Sequence, residues 1–286
     1  MKVLGRPIKP NEIPGATVRH LLLLGLVVTC LFPIYFMLTT AFKPRVEFYT
    51  NVLGLPITPT LENFALVVGR DDFPRWFANS VILTSTSATI GVFISSMAAF
   101  AFARMKFAGK RYIYNLMVAL MAIPVIVTIV PLFVLMVNTN LINTYPAPII
   151  IYIGFMVPYS TFLLTNFFVD VPQSIIDCAK IDGCSSVRVY WNIVMPLSGP
   201  ALMTLFMVNA LWVWNELLIA LIFLQSDQMK TLMAGLTVFK SRFTLNVPAT
   251  CAGLTVAILP MVLLYLFGQR YFVKGLVAGA LKGEID

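Results

Sequence analysis

The chain has 286 residues, 59% of them hydrophobic and 11% charged, with a mean hydropathy of +0.89 and a formal net charge of +8. Soluble domains carry about 25% charged and about 45–50% apolar residues. These values exclude an ordinary soluble enzyme and point to a polytopic membrane protein.

Residues 1–19 hold Lys2, Arg6, Lys9 and Arg19 among three prolines and read as a short cytoplasmic tail. Residues 20–42 are the first predicted span, long enough at about 1.5 Å per residue to cross roughly 30 Å of hydrocarbon. The run exceeds the roughly 7–15 apolar residues of a signal peptide, and no small-x-small cleavage site follows it, so it reads as an uncleaved helix. Residues 43–78 form the longest outer loop, punctuated by Pro44, Pro56 and Pro59, with a short surface helix expected over 61–68. Trp76 and Phe77 suit an interfacial anchor. The second span, 79–103, carries Ser87, Gly91, Ser95, Ala99 and Ala103, a small residue at every fourth position. That spacing lets helix backbones approach closely in lipid. The third span, 112–137, should bend at Pro124 and Pro131. An uncharged turn leads to the fourth span, 148–168. A polar break follows at 170–197, then the fifth span, 199–224, an outer loop, 225–248, the sixth span, 249–271, and a tail, 272–286. The expected fold is all-α, with six transmembrane helices in one domain, 20–271, and both termini cytoplasmic.

Charge sets the expected orientation. Of 20 Lys and Arg, 13 fall on the side of the N-terminus: four in 1–20, four in 104–111, two in 169–197 and three in 270–286. The remaining seven lie in the opposite loops, and this asymmetry is the positive-inside pattern. It accounts for the +8 without nucleic acid. Cys30 and Cys251 sit in spans, while Cys178 and Cys184 sit in a loop expected to be reducing, so no disulfide framework is expected. His20 is the single histidine, and no metal site is expected from so sparse a donor set.

The break at 170–197 reads locally as a helix-turn-helix. Asp170 suits an N-cap, with Pro172 in the first turn, and Ser174 with Asp177 fits a capping box. Gly183 should end the first helix in a left-handed conformation. Ser185 or Ser186 can cap the second. That helix carries Val187, Tyr190, Trp191 and Val194 as an apolar stripe, with Arg188 and Asn192 on another face, until Pro196 ends it. A cytoplasmic stripe of this kind needs a partner surface.

No phosphate-binding Gly-x-x-x-x-Gly-Lys-Ser/Thr loop is present; Gly109-Lys110 lacks both the earlier Gly and the following hydroxyl residue. The chain therefore does not hydrolyse ATP itself. Glu216, within Trp212-Val-Trp214-Asn215-Glu216, is the one acid expected inside a span. A charge there is costly and faces a cavity or a polar neighbour. One reading makes it a pathway residue beside Asn215, with Trp212 and Trp214 offering flat faces to a sugar. The other makes it an interhelical hydrogen bond.

The break also resembles the EAA loop of binding-protein-dependent ABC importer permeases. Asp177, Cys178 and Ala179 stand for Glu-Ala-Ala, and Asp182-Gly183, Tyr190, Ile193, Pro196-Leu197 and Pro200 fall at the family spacing. Asp177 is one methylene shorter than the family Glu, and Cys178 replaces an Ala. Asn79-Ser80, the Ala-Phe-Ala-Arg104 end of the second span and Trp214-Asn215 are also similar to the carbohydrate-importing, maltose-type branch. The tail is similar to the second permease subunit of that branch, in which Gly275, Gly279, Lys282 and Gly283 would meet the ATPase. The resemblance implies a permease for a sugar, oligosaccharide or glycoside in the bacterial inner membrane, working by alternating access. It implies a second permease, two ATPase subunits that hold ATP and Mg, and an extracytoplasmic sugar-binding protein, with no cofactor on this chain. The ATPase would meet Asp177, Ala179, Asp182, Gly183, Val187, Tyr190, Trp191 and Pro196, and the binding protein would meet chiefly 225–248. An ion-coupled carrier acting alone is the alternative, and a membrane scaffold without transport is a third.

Overall fold

The computed structural model describes the backbone of residues 2–3, 6–7, 13–239 and 246–280, and the side chains of 18–239 and 246–269. Lys2–Val3 and Arg6–Pro7 form a two-rung antiparallel ladder; every other element among the described residues is helical. The residues pack as two units: 1–70 with 239–256, and 71–238 with 257–286.

In the first unit α1, Ile13–Ala41, is apolar on all sides beyond His20. Leu21, Leu22, Leu23 and Leu24 are all exposed, as expected of a helix whose solvent is lipid. The outer loop then folds on itself as α2, Arg45–Thr50, and α3, Glu62–Val68. Asn63 is buried and its Nδ2 donates to the carbonyls of Ala41 (2.9 Å) and Lys43 (2.8 Å), tying α3 to the end of α1. Ala41, Cys251 and Ala252 form a small core with Met37, Phe64 and Val247 around them. Cys251 and Ala252 belong to α14, Val247–Ala280, whose later residues lie in the second unit.

In the second unit α4, Phe73–Arg104, packs against α7, Pro146–Asp170, and α11, Gly199–Asn215. Ser87, Gly91, Ser95 and Ala99 are buried. A Cβ at Gly91 would stand 3.1 Å from Cε of Met156, so the small residues are what allows α7 this close. Trp76 corrects the sequence reading. It is 1% exposed rather than interfacial, and its Nε1 donates to the Asp227 carbonyl at 3.0 Å.

The third and fifth predicted spans are broken. α5, Lys110–Leu120, and α6, Val125–Asn138, meet at 99°. The amides of Met121, Ala122 and Ile123 bond three residues back, and Pro124 then prevents helix continuation. Pro131 lies inside α6 without breaking it. The expected 199–224 helix ends at Asn215 and restarts as α12, Leu218–Phe223. Among the described residues, four helices are long and apolar enough to cross a membrane, or six if each sharply bent pair is one span.

Candidate functional site

The loop after α7 forms α8, Gln173–Ile181, then α9, Ser186–Val189, a π-helical turn, Tyr190–Val194, and α10, Met195–Leu197. Asp170 is not its N-cap: α7 runs through Asp170, and Pro172 holds the cap position of α8 without a side-chain bond. Ser174 lies inside α8 and caps nothing there. Gly183 has φ 80°. Its amide donates to the Lys180 carbonyl at 3.0 Å and that of Cys184 to the Ala179 carbonyl at 2.9 Å, the paired bonds of a Schellman turn. Ala179 is buried at this turn, and the amide of Asp182 closes on the Cys178 carbonyl. Of the two serines offered as caps, Ser185 accepts from the Arg188 amide at 3.4 Å.

The expected docking stripe is split between two faces. Val189, Tyr190 and Val194 are buried in one cluster with Phe100, Leu164, Phe168, Ile176 and Ala179. The Tyr190 hydroxyl and Ser96 Oγ are 2.7 Å apart, and the Tyr190 ring lies 5.3 Å from that of Phe100. Tyr190 therefore fastens the loop to α4 and is removed from the surface offered to a partner. Val187, at 67% exposure, and Trp191, at 49%, remain outside with Ile181, at 85%. Apolar side chains occupy more than half the circumference of this helix, so spacing alone could not tell which arc the bundle would cover. Pro196 lies in α10, just before a 76° bend into α11.

Arg104 is the residue that sequence reasoning underused. Its Nε donates to the Phe168 carbonyl at 2.9 Å, and its Nη2 reaches the carbonyls of Phe168 (2.5 Å), Val169 (3.2 Å) and Val171. These carbonyls end α7, where a cation meets the negative end of the helix. Nη1 donates to Oε1 of Gln173 at 2.7 Å, and Gln173 Nε2 donates to Asp177 Oδ1 at 2.8 Å. One guanidinium thus joins the end of α4, the end of α7 and, through Gln173, the acid of the loop. Asp177 is exposed. The signal was an arginine closing a small-residue helix, and its partners lie more than 60 residues away.

The candidate pathway residues also divide. Glu216 sits at the break between α11 and α12 rather than in mid-helix. Its Oε1 accepts from the amides of Leu218 (2.8 Å) and Ile219 (3.0 Å), and its Oε2 from those of Ile219 (2.9 Å) and Ala220 (3.3 Å). The hydroxyl of the buried Tyr152 donates to Oε2 at 3.0 Å. The carboxylate therefore caps α12 and ties it to α7. Trp214 points inward, 3% exposed, and its Nε1 donates to the Ala257 carbonyl at 3.0 Å. Trp212 lies at 36% exposure, edge-on to Tyr152 at 5.7 Å, and Asn215 is exposed beside it. The two tryptophans do not share a face.

The 225–248 loop is partly folded back. Asn79 Nδ2 donates to the carbonyls of Gln228 and Lys230 at 2.9 Å each, and its Oδ1 accepts from Tyr145 at 2.6 Å. Ser80 Oγ accepts from the Leu232 amide at 2.8 Å. In α13, Leu232–Leu236, a Cβ at Gly235 would stand 2.2 Å from the Trp76 ring. Residues 225–228 stay exposed. The Asn143 side chain, from the turn before α7, accepts the amides of Gln225 and Ser226 at 2.6 and 2.9 Å. Of the tail candidates, Gly275 and Gly279 lie on α14, while Lys282 and Gly283 are outside the described residues. No cluster of three potential metal ligands occurs among the described residues.

Residues 91–277 match the family described as binding-protein-dependent transport system inner membrane component. The arabinooligosaccharides transport system permease protein AraQ of Bacillus subtilis (strain 168) is 33% identical over 257 residues, 88% of this chain and 91% of that one. The diacetylchitobiose uptake system permease protein DasC of Streptomyces coelicolor is 32% identical over 264 residues, covering 92% and 94%. A chain of a bacterial ABC transporter involved in the import of the acidic polysaccharide alginate has the same fold. Its TM-score is 0.81 at 19% identity, over 93% of this chain and 99% of that chain.

Proposed function

The chain belongs to the family of binding-protein-dependent transport system inner membrane components, and we propose that it is a permease subunit of an ATP-driven importer carrying an oligosaccharide across the bacterial inner membrane. The observation that carries the coupling role is the divided helix pair at 173–197. Its inner side is fastened to α4 and α7 through Tyr190, Val194, Ile176 and Arg104. Its outer side leaves Ile181 and Val187 well exposed and Trp191 half exposed. A push on the exposed side is transmitted to the bundle because the buried side is close-packed. The cargo class rests on the arabinooligosaccharides and diacetylchitobiose in the names of the relatives.

In this reading the N-terminus and the 173–197 pair face the cytoplasm, as the 13-to-7 split of Lys and Arg supports. Two ATPase subunits supply ATP and Mg chemistry, and this chain binds no cofactor. Their closure moves the helix pair as a lever, and with a second permease the spans alternate their access. Exposed residues 225–228 and the turn around Asn143 meet the sugar-binding protein. Trp212 and Asn215 line the path, and Gly275, Gly279, Lys282 and Gly283 extend the ATPase contact.

The test is co-purification and uptake of the assembled importer carrying Val187→Asp or Ile181→Asp. Both side chains are exposed, so the permease should still fold and insert while losing ATPase association and uptake. Wild-type ATPase association and uptake in both variants would show that this face is not the coupling surface.

A further inference from the structure

Residues 43–58 carry an arrangement that import does not use. Their polar backbone atoms are met one after another from within the first unit. Lys43, fully buried, places Nζ 2.7 Å from the Asn51 carbonyl and 3.0 Å from that of Val52. The Tyr35 hydroxyl donates to the Leu53 carbonyl at 2.9 Å. Asn51 takes the Gly54 amide on Oδ1 at 3.0 Å and gives Nδ2 to the Leu55 carbonyl at 2.9 Å. Glu47 collects the amides of Ile57 at 2.6 Å and Thr58 at 3.1 Å, and the Thr58 hydroxyl at 2.8 Å. Side chains thus serve the carbonyls of 51–53 and 55 and the amides of 54, 57 and 58, which lowers the cost of moving this loop out of bulk water.

The exposed side chains of 45–55 are mostly apolar, with Arg45 and Thr50 the polar ones among them. Val46 is 79% exposed, Leu55 68%, Tyr49 62% and Leu53 56%. The segment also folds back beside α1. Tyr35 lies six residues before Ala41, the last residue of α1, so it sits about 9 Å back along the helix. Its hydroxyl nevertheless holds Leu53, and Phe36 meets Phe48 edge-on at 6.5 Å, with Tyr49 next to it at 5.4 Å. The α1 surface at this level belongs to a 24-residue apolar stretch long enough to cross a membrane. The apolar side chains of the lobe thus continue a membrane-spanning wall, with tyrosines at the level where aromatic belts form.

We propose that residues 45–55 form an interfacial anchor, seated in the headgroup and acyl boundary of the leaflet at the C-terminal end of α1, with phospholipid as the occupant. Val46, Tyr49, Leu53 and Leu55 enter the acyl region. Lys43 and Glu47 keep the lobe closed by pairing the carbonyls of Asn51 and Val52 and the amides of Ile57 and Thr58. The lobe fixes the depth and rotation of α1, as interfacial aromatic anchors do.

The test places a single reporter on the full-length chain. In a background with Cys30, Cys178, Cys184 and Cys251 replaced by Ala, Leu53→Cys and Leu55→Cys are each labelled with an environment-sensitive fluorophore. The assembled importer is reconstituted in phosphatidylcholine–phosphatidylglycerol nanodiscs. A shallow acyl nitroxide lipid should cause a large loss of emission at both sites, a deep nitroxide a smaller loss, and aqueous iodide almost none. Strong iodide quenching with no nitroxide effect would mean a solvated loop and overturn the proposal. Protection from both quenchers would mean a protein partner covers the lobe and would equally overturn it.

Discussion

Replacing Glu216 by Gln tests how the break between α11 and α12 is held. The wild-type carboxylate uses two oxygens for the amides of Leu218, Ile219 and Ala220 and for the Tyr152 hydroxyl. A carboxamide keeps one oxygen, which still serves Leu218 and Ile219. Its NH2 then stands where Oε2 stood and opposes the Ala220 amide, while the Tyr152 hydroxyl can turn to accept. The loss is one hydrogen bond, about 1–1.5 kcal/mol, and the negative charge at the start of α12, about 1 kcal/mol in a partly buried setting. The total of about 2–2.5 kcal/mol corresponds to roughly 30- to 60-fold at about 1.4 kcal/mol per decade. Hydrogen exchange of peptides covering 216–223 should accelerate by that factor in the reconstituted protein. Tyr152→Phe should accelerate it less, because it removes only the Oε2 partner from α7. Exchange of Glu216→Gln within about twofold of wild type, a shift of only about 0.4 kcal/mol, would refute the capping argument and return Glu216 to the pathway reading.

Gly183→Ala meets no atom within 4 Å, so its cost is the backbone conformation at φ 80° alone, about 1–2 kcal/mol. It should loosen the α8–α9 turn, seen as faster exchange at 179–184, and Gly183→Asn should be milder. Gly235→Ala drives a Cβ into the buried Trp76 ring. It should lower the unfolding midpoint in detergent by the equivalent of about 1–3 kcal/mol, with partial recovery in Trp76→Leu/Gly235→Ala. An unchanged midpoint would contradict this packing. Glu47 is held below the ordinary carboxylate pKa, chiefly by the Ile57 amide, which desolvation opposes and the bonds from Thr58 and Asn51 reinforce. A depressed carboxylate contributes stability that is present above its unfolded pKa and is lost as pH falls through the folded value. Protease nicking of the 51–58 segment should therefore rise on acidification below about pH 4.5. In Glu47→Gln the nicking should be independent of pH over that range.

Much of the architecture was legible because hydropathy and backbone sterics are local. A run of some twenty apolar residues is a span wherever it occurs. Gly183 ends α8 because its own φ requires it, and Ser87, Gly91, Ser95 and Ala99 mark a close helix contact by spacing alone. Pro124 announced a break, although not its 99° angle, which depends on what each half packs against. The tertiary structure alone decided where side chains of ambiguous character point. Trp76 and Trp214 became buried hydrogen-bond donors rather than an interfacial anchor and a sugar platform. Tyr190 turned from the docking face into the bundle, because the apolar arc around it is wider than the surface a partner needs. Arg104 became the joint between α4, α7 and the loop because its acceptors are the free carbonyls at the end of another helix. Glu216 found donors at a helix start that exists only because the chain breaks there. The sequence by itself determined what must leave water and where the chain must turn. Which of several apolar or polar groups met a given partner was decided by contacts between residues far apart in the chain, and no local pattern encodes these.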